Sequence, residues 1–198
     1  MKVLKINASV KPLQASVSRQ LVEEVITQIG EGSAEVIDRD LAQGVSLLTG
    51  EMVGSYYTPA DKRSEAQKNA ISESDTLVAE LQSADAVVIG LPIYNFGVPG
   101  ALKAYFDLVA RVGITFRYTQ NGPVGLLADR PAYVVVASGG IQLGSAADFA
   151  SGHIKQFLGF LGIKDVHFID ATGQSIDAEA SVARAKEQIA ALGTEVFA

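Results

Sequence analysis

Short apolar runs alternate with segments of helical periodicity along the whole chain, and this alternation restricts the fold more than any other feature. The runs are mostly continuous in hydrophobicity, as is typical of parallel strands that are buried on both faces. Five runs of strand length lie at residues 3–6, 35–38, 86–91, 132–137 and 166–169. This order predicts a single α/β domain over residues 1–198, with a doubly wound, five-stranded parallel sheet between two layers of helices.

The segments between these runs place their apolar residues on one face at helical spacing. The first is followed by Gly30, a residue that is common just after the end of a helix. Pro99 is expected at the first position of the third helix, because the N–H that proline lacks would have no intrahelical acceptor there. The predicted helices are residues 16–29, 63–81, a segment that starts at Pro99 and includes Val109, and residues 149–161 and 178–192.

Two connections are longer than is usual in such a domain. Residues 42–61 carry Tyr56, Tyr57 and Pro59, and residues 113–130 mix aromatic with polar side chains. Plain surface connections and functional loops are both compatible with this composition. The sequence leaves the choice between them open.

The charge of the chain excludes several classes of partner. With 16 basic and 22 acidic residues, its formal net charge is −6, which argues against nucleic acid and against an anionic membrane surface. Its start does not have the pattern of a signal peptide, and no apolar stretch is long enough to span a membrane. We therefore expect a cytoplasmic protein.

The composition also leaves few side chains that can carry out chemistry. The chain has no cysteine, which excludes disulfides, cysteine-ligated zinc, iron–sulfur clusters and thiol nucleophiles, and favours a reducing compartment. Its two histidines, His153 and His167, are expected to be structural or surface residues. We expect no metal site. An enzyme of this composition would depend on a cofactor for its reactive groups.

The carboxyl ends of the strands are the place to search for a ligand, because open parallel sheets bind ligands there. Three serines, Ser9, Ser16 and Ser18, follow the first strand together with Lys11 and Arg19, and no acid lies among them. Serine hydroxyls and the free N–H groups of a helix start suit a phosphate monoester. The alternative is that Ser16 only caps the helix and Ser9 only forms a turn.

The same segment lacks the signatures of other ligands. It contains no G-x-G-x-x-G for a dinucleotide and no G-x-x-x-x-G-K-[ST] for a nucleoside triphosphate. A receiver domain needs an acidic pair after the first strand, where this chain has Asn7 and Ala8. The G-x-S-x-G turn of the α/β hydrolases is also absent. Hydrolysis and phosphoryl transfer are therefore disfavoured.

Two further strand ends offer surfaces for a flat ligand. The third strand is followed by Tyr94, Asn95 and Phe96, and the fourth by Ser138 and two glycines. Aromatic side chains form apolar walls, and glycines allow a ligand to approach the backbone closely. Each signal has an ordinary alternative, namely core aromatic residues and a turn. Gathered in one crevice, they describe a site for a phosphorylated planar cofactor, and flavin mononucleotide (FMN) fits that description.

Longer stretches of the chain resemble one family. They are Ser9 with Ser16-Val17-Ser18, the run PIYNFGVPGALKAYFD at residues 92–107, the run GITFRYTQNGPVGL at residues 113–126, and Ser138-Gly139-Gly140. These motifs are similar to those of the FMN-dependent NAD(P)H azoreductases, also described as quinone reductases. The resemblance covers nearly the full chain.

The resemblance implies a flavodoxin-like fold with strand order 2-1-3-4-5, and a homodimer with two FMN sites at the subunit interface. It also implies ping-pong electron transfer, in which NADH or NADPH leaves before a quinone or an azo compound accepts the electrons. Azo compounds would be cleaved to amines. No side chain is expected to be catalytic, since the chemistry takes place on FMN.

The resemblance also assigns residues to the site. Ser9, Ser16, Val17 and Ser18 would hold the phosphate. The ring system would lie between two segments, one of Pro92, Ile93, Tyr94, Asn95 and Phe96, the other of Ala137, Ser138, Gly139 and Gly140. Tyr118 and Phe160 would line the substrate slot over the flavin, with the partner subunit contributing.

The sequence departs from the family pattern in three places. Ile93 stands where methionine is common, and Gln142 lies where many members have a histidine, so solvent would deliver protons. Tyr56 and Tyr57 occupy a region where an arginine of some relatives helps to bind the nicotinamide cofactor. The choice between NADH and NADPH is open, as is the physiological acceptor. The competing hypotheses are an FMN-binding carrier or regulatory protein without turnover, and a non-flavin hydrolytic enzyme.

Overall fold

The computed structural model describes residues 1–192. Seven strands lie in this range: β1 Lys2–Asn7, β2 Glu35–Asp40, β3 Ala86–Pro92, β4 Phe116–Thr119, β5 Gly122–Gly125, β6 Ala132–Ala137 and β7 Val166–Ala171. Seven α-helices accompany them: α1 Val17–Ile29, α2 Gly50–Tyr57, α3 Glu65–Ala70, α4 Ser72–Ser83, α5 Gly100–Val109, α6 Phe149–Leu161 and α7 Ala178–Ala191.

Five strands form a parallel sheet in the order β2-β1-β3-β6-β7, and β4 and β5 form a separate antiparallel hairpin. Counted along the chain without the hairpin, the sheet strands have the order 2-1-3-4-5 that is implied for a flavodoxin-like fold. The register places Asn7 beside Gly90 and Pro92 beside Ala137. The carboxyl ends of the three central strands therefore meet at one edge of the sheet.

Helices cover both faces of the sheet. On one face, Val25 of α1 and Ile189 of α7 pack against Val88 and Val135. The other face is covered by α4, α5 and α6, which pack against a larger apolar cluster of the same strands. All seven residues of β3 are buried, as expected for a central strand between two helical layers.

Two elements differ from the sequence-based expectation. The helix predicted over residues 63–81 is broken at Ile71, which has φ −103° and ψ 3° and separates α3 from α4. The break keeps Ile71 in the core, where it is 1% exposed. Pro99 lies at the cap position and α5 begins at Gly100.

None of the described helices is long and apolar enough to cross a membrane.

The two long connections both contain regular structure. Residues 42–61 include α2, and residues 113–130 include the β4–β5 hairpin. A Cβ atom on Gly125 would lie 2.2 Å from the backbone nitrogen of Gly162, so the hairpin rests directly on the end of α6. These elements were missed because strands of four residues and a helix of eight are too short to establish a clear period.

Candidate cofactor site

The loop after β1 and the first turn of α1 bring three serine hydroxyls together. Ser16 caps α1, where its Oγ accepts from the N–H of Arg19 at 3.4 Å. The same hydroxyl donates to Ser9 Oγ at 2.9 Å and lies 3.3 Å from Ser18 Oγ. Val17 and Ser18 lie in the first turn of α1, so their N–H groups have no acceptor within the helix and point out of its end. Together they form a cradle of donors suited to an anion.

The two basic residues of this segment have different surroundings. Lys11 lines the cleft beside the serines. Arg19 does not, because its guanidinium forms two hydrogen bonds with Asp40, at 2.5 and 3.0 Å. The hydrogen bond from Arg19 holds the pKa of the Asp40 carboxyl below its usual value. Arg19 therefore neutralises an acid at the end of β2 and does not itself face the cleft.

A tight turn after β3 forms a second side of the cleft. Tyr94 and Gly97 exchange two backbone hydrogen bonds of 3.1 Å, and the residues between them, Asn95 and Phe96, have φ values of 49° and 72°. A positive φ is costly for a phenylalanine, and such strain is concentrated at functional sites. The Phe96 side chain is 55% exposed. The turn thus presents an aromatic ring and unpaired N–H groups toward solvent.

The hydroxyl of Tyr94 connects this turn to the loop after β1. It accepts a hydrogen bond from the N–H of Val10 at 3.3 Å and lies 3.5 Å from Ser9 Oγ. The aromatic turn and the serine cradle are therefore held next to each other, on neighbouring strands.

The end of β6 forms the opposite side. The hydroxyl of Ser138 donates to the carbonyl of Ile141, which closes the turn that contains Gly139 and Gly140. A Cβ atom on Gly139 would lie 2.8 Å from Ser175 Oγ, so residue 139 has little room for a side chain. The segment after β7 supports this turn, since the Ser175 N–H donates to the Gly139 carbonyl at 2.9 Å.

A cleft of about 290 Å³ lies between these three strand ends. Ten of the predicted cofactor-binding residues line it: Ser9, Ser16, Val17, Ser18, Pro92, Ile93, Tyr94, Ala137, Ser138 and Gly139. Asn95, Phe96 and Gly140 lie at its rim, outside the lining. In the described part of the chain, no protein group accepts from the N–H groups of these three rim residues. They remain available to a ligand.

Tyr118 and Phe160 do not line this cleft. Tyr118, on β4, is 67% exposed and meets Phe116 edge to face at 5.4 Å between ring centroids. Phe160, on α6, packs on the same Phe116 at 4.4 Å and borders a separate groove beside Pro123. The two predicted substrate residues thus belong to one aromatic cluster at the base of the hairpin, outside the cleft that contains the cradle.

The sequence reasoning missed several residues at the cleft. Ala15, Gln174 and Ser175 line it, and Phe149, 67% exposed, donates its N–H to the Phe96 carbonyl at 3.0 Å. Gln174 and Ser175 follow β7, so the rule that ligands bind at the carboxyl ends of parallel strands also points to them. Phe149 carries no such signal, since it begins α6 and lies next to the turn only in the folded chain.

The histidines lie outside the cleft. His153 meets Phe106 edge to face at 5.6 Å, and His167 stacks on Tyr133 at 5.2 Å. Among the residues described, no group of histidines and acids could hold a metal ion. Neither histidine nor a carboxylate lines the described cleft, so its donors are hydroxyls, amides and Lys11.

Comparison with known proteins places the chain in a family. The model of the flavodoxin-like fold matches residues 1–192. An FMN-dependent NADH:quinone oxidoreductase 1 of Hahella chejuensis is 48% identical over 100% of this chain and 97% of its own length. A second protein with this name, from Jannaschia sp., is 48% identical over 96% of this chain and 97% of its own.

Solved structures give the same result. An azoreductase from Bacillus anthracis superposes with a TM-score of 0.86 at 26% identity, over 96% of this chain and 97% of that one. An FMN-dependent NADH-azoreductase of the same species, solved in complex with FMN, superposes with a TM-score of 0.84 at 26% identity, over 96% and 95% of the two chains. The chain therefore belongs to the flavodoxin-like family of FMN-dependent quinone reductases and azoreductases.

Proposed function

We propose that this chain is an FMN-dependent NADH:quinone oxidoreductase that also cleaves aromatic azo compounds reductively to amines. The observation that carries the proposal is the cleft itself, in which three serine hydroxyls and a helix start adjoin two flat strand ends. The names of the relatives, which specify FMN, NADH and quinones, support it. A structural neighbour named for azo reduction and complexed with FMN supports the second activity.

The cradle fits the phosphate of FMN. Ser9 and Ser16 are only 2% and 4% exposed, so their hydroxyls are held in place by the fold. Hydroxyl and amide donors at a helix start bind a phosphate by charge-assisted hydrogen bonds, and no carboxylate in the described lining repels it. Lys11 also lines the cleft and adds a positive charge. We assign the phosphate to Ser9, Ser16, Val17 and Ser18.

The two strand ends fit a planar ring. Pro92, Ile93 and Tyr94 form one side of the cleft, and the segment from Ala137 to Gly139 forms the other. The free N–H groups at the rim suit the carbonyl oxygens of a pyrimidine ring. We propose that residues 92–96 hold the flavin ring from one side and residues 137–140 from the other.

When bound, FMN would supply the redox chemistry that passes two electrons from NADH to the acceptor. The protein residues bind and orient. None of the described lining residues is an acid or a histidine, so we propose that solvent provides the protons. A single exposed slot above the cleft would serve donor and acceptor in turn, which predicts ping-pong kinetics.

We also propose a homodimer with two FMN sites at its interface. Phe96, Tyr118 and Phe149 are each more than half exposed, and Phe96 and Phe149 are neighbours, since the Phe149 N–H donates to the Phe96 carbonyl at 3.0 Å. Neighbouring exposed aromatic residues are typical of a binding surface. Tyr118 and Phe160 lie away from the cleft of their own protomer, so a partner copy would be needed to bring this cluster over the ring. The acceptor slot would then be complete only in the dimer.

The test is a visible spectrum of the purified full chain, followed by steady-state NADH oxidation with quinones and azo dyes. We expect flavin bands, stimulation of NADH oxidation by both acceptor classes, and a solution mass of two chains. A colourless protein that does not bind added FMN would refute the proposal. Flavin binding without turnover by any acceptor would favour an electron carrier or regulatory module instead, and an active monomer would refute the shared site.

A further inference from the structure

The charge of Arg19 destabilises the fold at this position unless an opposite charge or hydrogen-bond acceptors compensate it. It lies in the first turn of α1, where the helix dipole is positive and a cation is disfavoured. The residue is only 8% exposed, so water screens its charge poorly. A buried cation here requires strong partners.

Its partners come from two other elements. Nη1 and Nη2 of Arg19 donate to the two carboxylate oxygens of Asp40 at the end of β2, at 3.0 and 2.5 Å. Nη2 also donates to the carbonyl of Ser9 at 2.7 Å, just after β1. The planar fork of a guanidinium fixes direction as well as distance, which a lysine ammonium does not. One side chain thus joins the ends of two strands to the start of a helix.

The contacts of Arg19 include two serines of the cradle, Ser9 and Ser16. Ser9 is held through its carbonyl by Arg19, and its hydroxyl accepts from Ser16 at 2.9 Å and from the N–H of Lys11 at 3.2 Å. Ser16 is in turn held by the N–H of Arg19 at 3.4 Å. Arg19 therefore contacts both serines, through its side chain at one and its backbone at the other.

We propose that the ion pair of Arg19 and Asp40 is a positioning element, which fixes Ser9 against Ser16 so that the serine hydroxyls are arranged for a phosphate before it binds. The inference rests on the proposed function, because it presupposes that the cradle binds the phosphate of FMN. Arg19 is not assigned as a phosphate ligand, because it does not line the cleft and both of its Nη atoms are engaged by the Asp40 carboxylate and the Ser9 carbonyl. Its Nε has no partner among the described residues, but it is buried.

The substitution Asp40→Asn distinguishes a direct electrostatic role of Arg19 from a positioning role, because the two roles predict opposite changes in phosphate affinity. Asp40→Asn removes a negative charge near the cradle, so an electrostatic role of Arg19 predicts tighter phosphate binding. The positioning role predicts weaker binding, because the neutral amide holds the guanidinium less firmly and Ser9 loses its anchor. Arg19→Lys keeps the charge but not the fork, and it should weaken binding in the same way.

The matched control lies on the same strand. Arg39 donates through Nε to Glu80 Oε2 at 3.0 Å and through Nη2 to the other carboxylate oxygen, a fork of the same kind. This pair joins β2 to α4, away from the cradle. Glu80→Gln therefore removes an acid from an equivalent pair without touching Ser9 or Ser16.

The experiment measures dissociation constants of FMN and of riboflavin, which lacks the phosphate, for the full chain stripped of flavin. The dissociation constant of riboflavin divided by that of FMN isolates the phosphate contribution, because this ratio falls when the phosphate is bound less tightly. We expect Asp40→Asn and Arg19→Lys to reduce this ratio about tenfold, and Glu80→Gln to leave it unchanged. Arg19→Lys serves alone if Asp40→Asn does not fold.

An unchanged or increased ratio in the Asp40 or Arg19 variant would overturn the positioning role while leaving the proposed function intact. An equal reduction in Glu80→Gln would also overturn it, because the effect would then reflect general loosening of β2. If the wild-type chain binds FMN no better than riboflavin, the phosphate assignment itself fails, and the inference fails with it.

Discussion

The hydroxyl of Tyr94 accepts a hydrogen bond from the backbone N–H of Val10 at 3.3 Å, and this bond joins the turn after β3 to the loop after β1. It crosses from the segment assigned to the flavin ring to the segment assigned to its phosphate. The two halves of the cleft are therefore linked by the protein before any ligand arrives, which lowers the ordering cost of binding.

Tyr94→Phe should weaken FMN binding modestly without unfolding the protein. Loss of one hydrogen bond costs about 1 kcal/mol, so we expect the dissociation constant to rise about fivefold. Flavin fluorescence titration measures it. Tyr133→Phe removes a hydroxyl from a half-buried ring that stacks on His167, outside the cleft, and should leave the constant unchanged. If Tyr94→Phe binds FMN with wild-type affinity, the hydrogen bond between Tyr94 and Val10 does not contribute to FMN binding.

Ser16→Asp should abolish most FMN binding while preserving α1. Aspartate is as good an N-cap as serine, so the helix keeps its start, but the carboxylate repels the phosphate. At the distance of a direct contact we expect the dissociation constant to rise more than about a hundredfold. Thr49→Asp makes the same change at the cap of α2, outside the cleft, and is the control. Retained affinity in Ser16→Asp would refute the phosphate assignment.

Tyr118→Ala should change acceptor kinetics and leave FMN bound. The exposed ring lies outside the cleft lining but is assigned to the acceptor slot of a dimer, so its removal should raise KM for a quinone about tenfold. Arg117→Ala is the matched control, because Arg117 is the preceding residue of β4 and its side chain therefore lies on the opposite face of the hairpin. A loss of flavin from Tyr118→Ala, with acceptor KM unchanged, would contradict the assignment.

Gly125→Ala should destabilise the protein by displacing the hairpin from α6. The added Cβ would lie 2.2 Å from the nitrogen of Gly162 and 2.3 Å from the carbonyl carbon of Leu161, and backbone atoms cannot move aside cheaply. We expect a loss of about 2 kcal/mol in the free energy of unfolding, measured with urea. Gly54→Ala, in α2 with open space around its Cβ position, should instead stabilise by about 1 kcal/mol. Equal stability of Gly125→Ala and wild type would show that the hairpin adjusts freely.

The contribution of Asp40 to stability should depend on pH. Because Arg19 lowers the pKa of Asp40 in the folded state, the ionised carboxylate stabilises the protein above the ordinary aspartate value of about 3.9, and this stabilisation is lost as the pH falls through the lowered pKa. The free-energy difference between wild type and Asp40→Asn should therefore shrink in acid. Urea midpoints of both proteins across the acid range measure it. If the difference in unfolding free energy between the two proteins does not change with pH, Asp40 does not stabilise the fold through an ionised pair with Arg19.

The ends of the strands could be predicted from the sequence because the relevant signals are local. Mostly apolar runs identified the sheet strands, each to within two residues at its carboxyl end. The residues that follow Asn7, Pro92 and Ala137 must lie at one edge of a parallel sheet. Most of the cleft residues were found in this way. Gln174 and Ser175 follow the last strand and obey the same rule.

Other features depend on how distant segments pack, and local patterns do not report them. Sequence placed Lys11 and Arg19 in the same basic segment, but only the fold turned Arg19 toward Asp40, whose strand lies on the far side of β1 from β3. The hairpin over α6 and the exposure of Phe149 likewise follow from contacts between segments. The sequence by itself determined the order of the five sheet strands, the main helices that cover them, and the chemistry at the strand ends. The tertiary structure decided which charges are paired and which side chains face the cleft, because side-chain direction and pairing depend on register and packing across the whole chain.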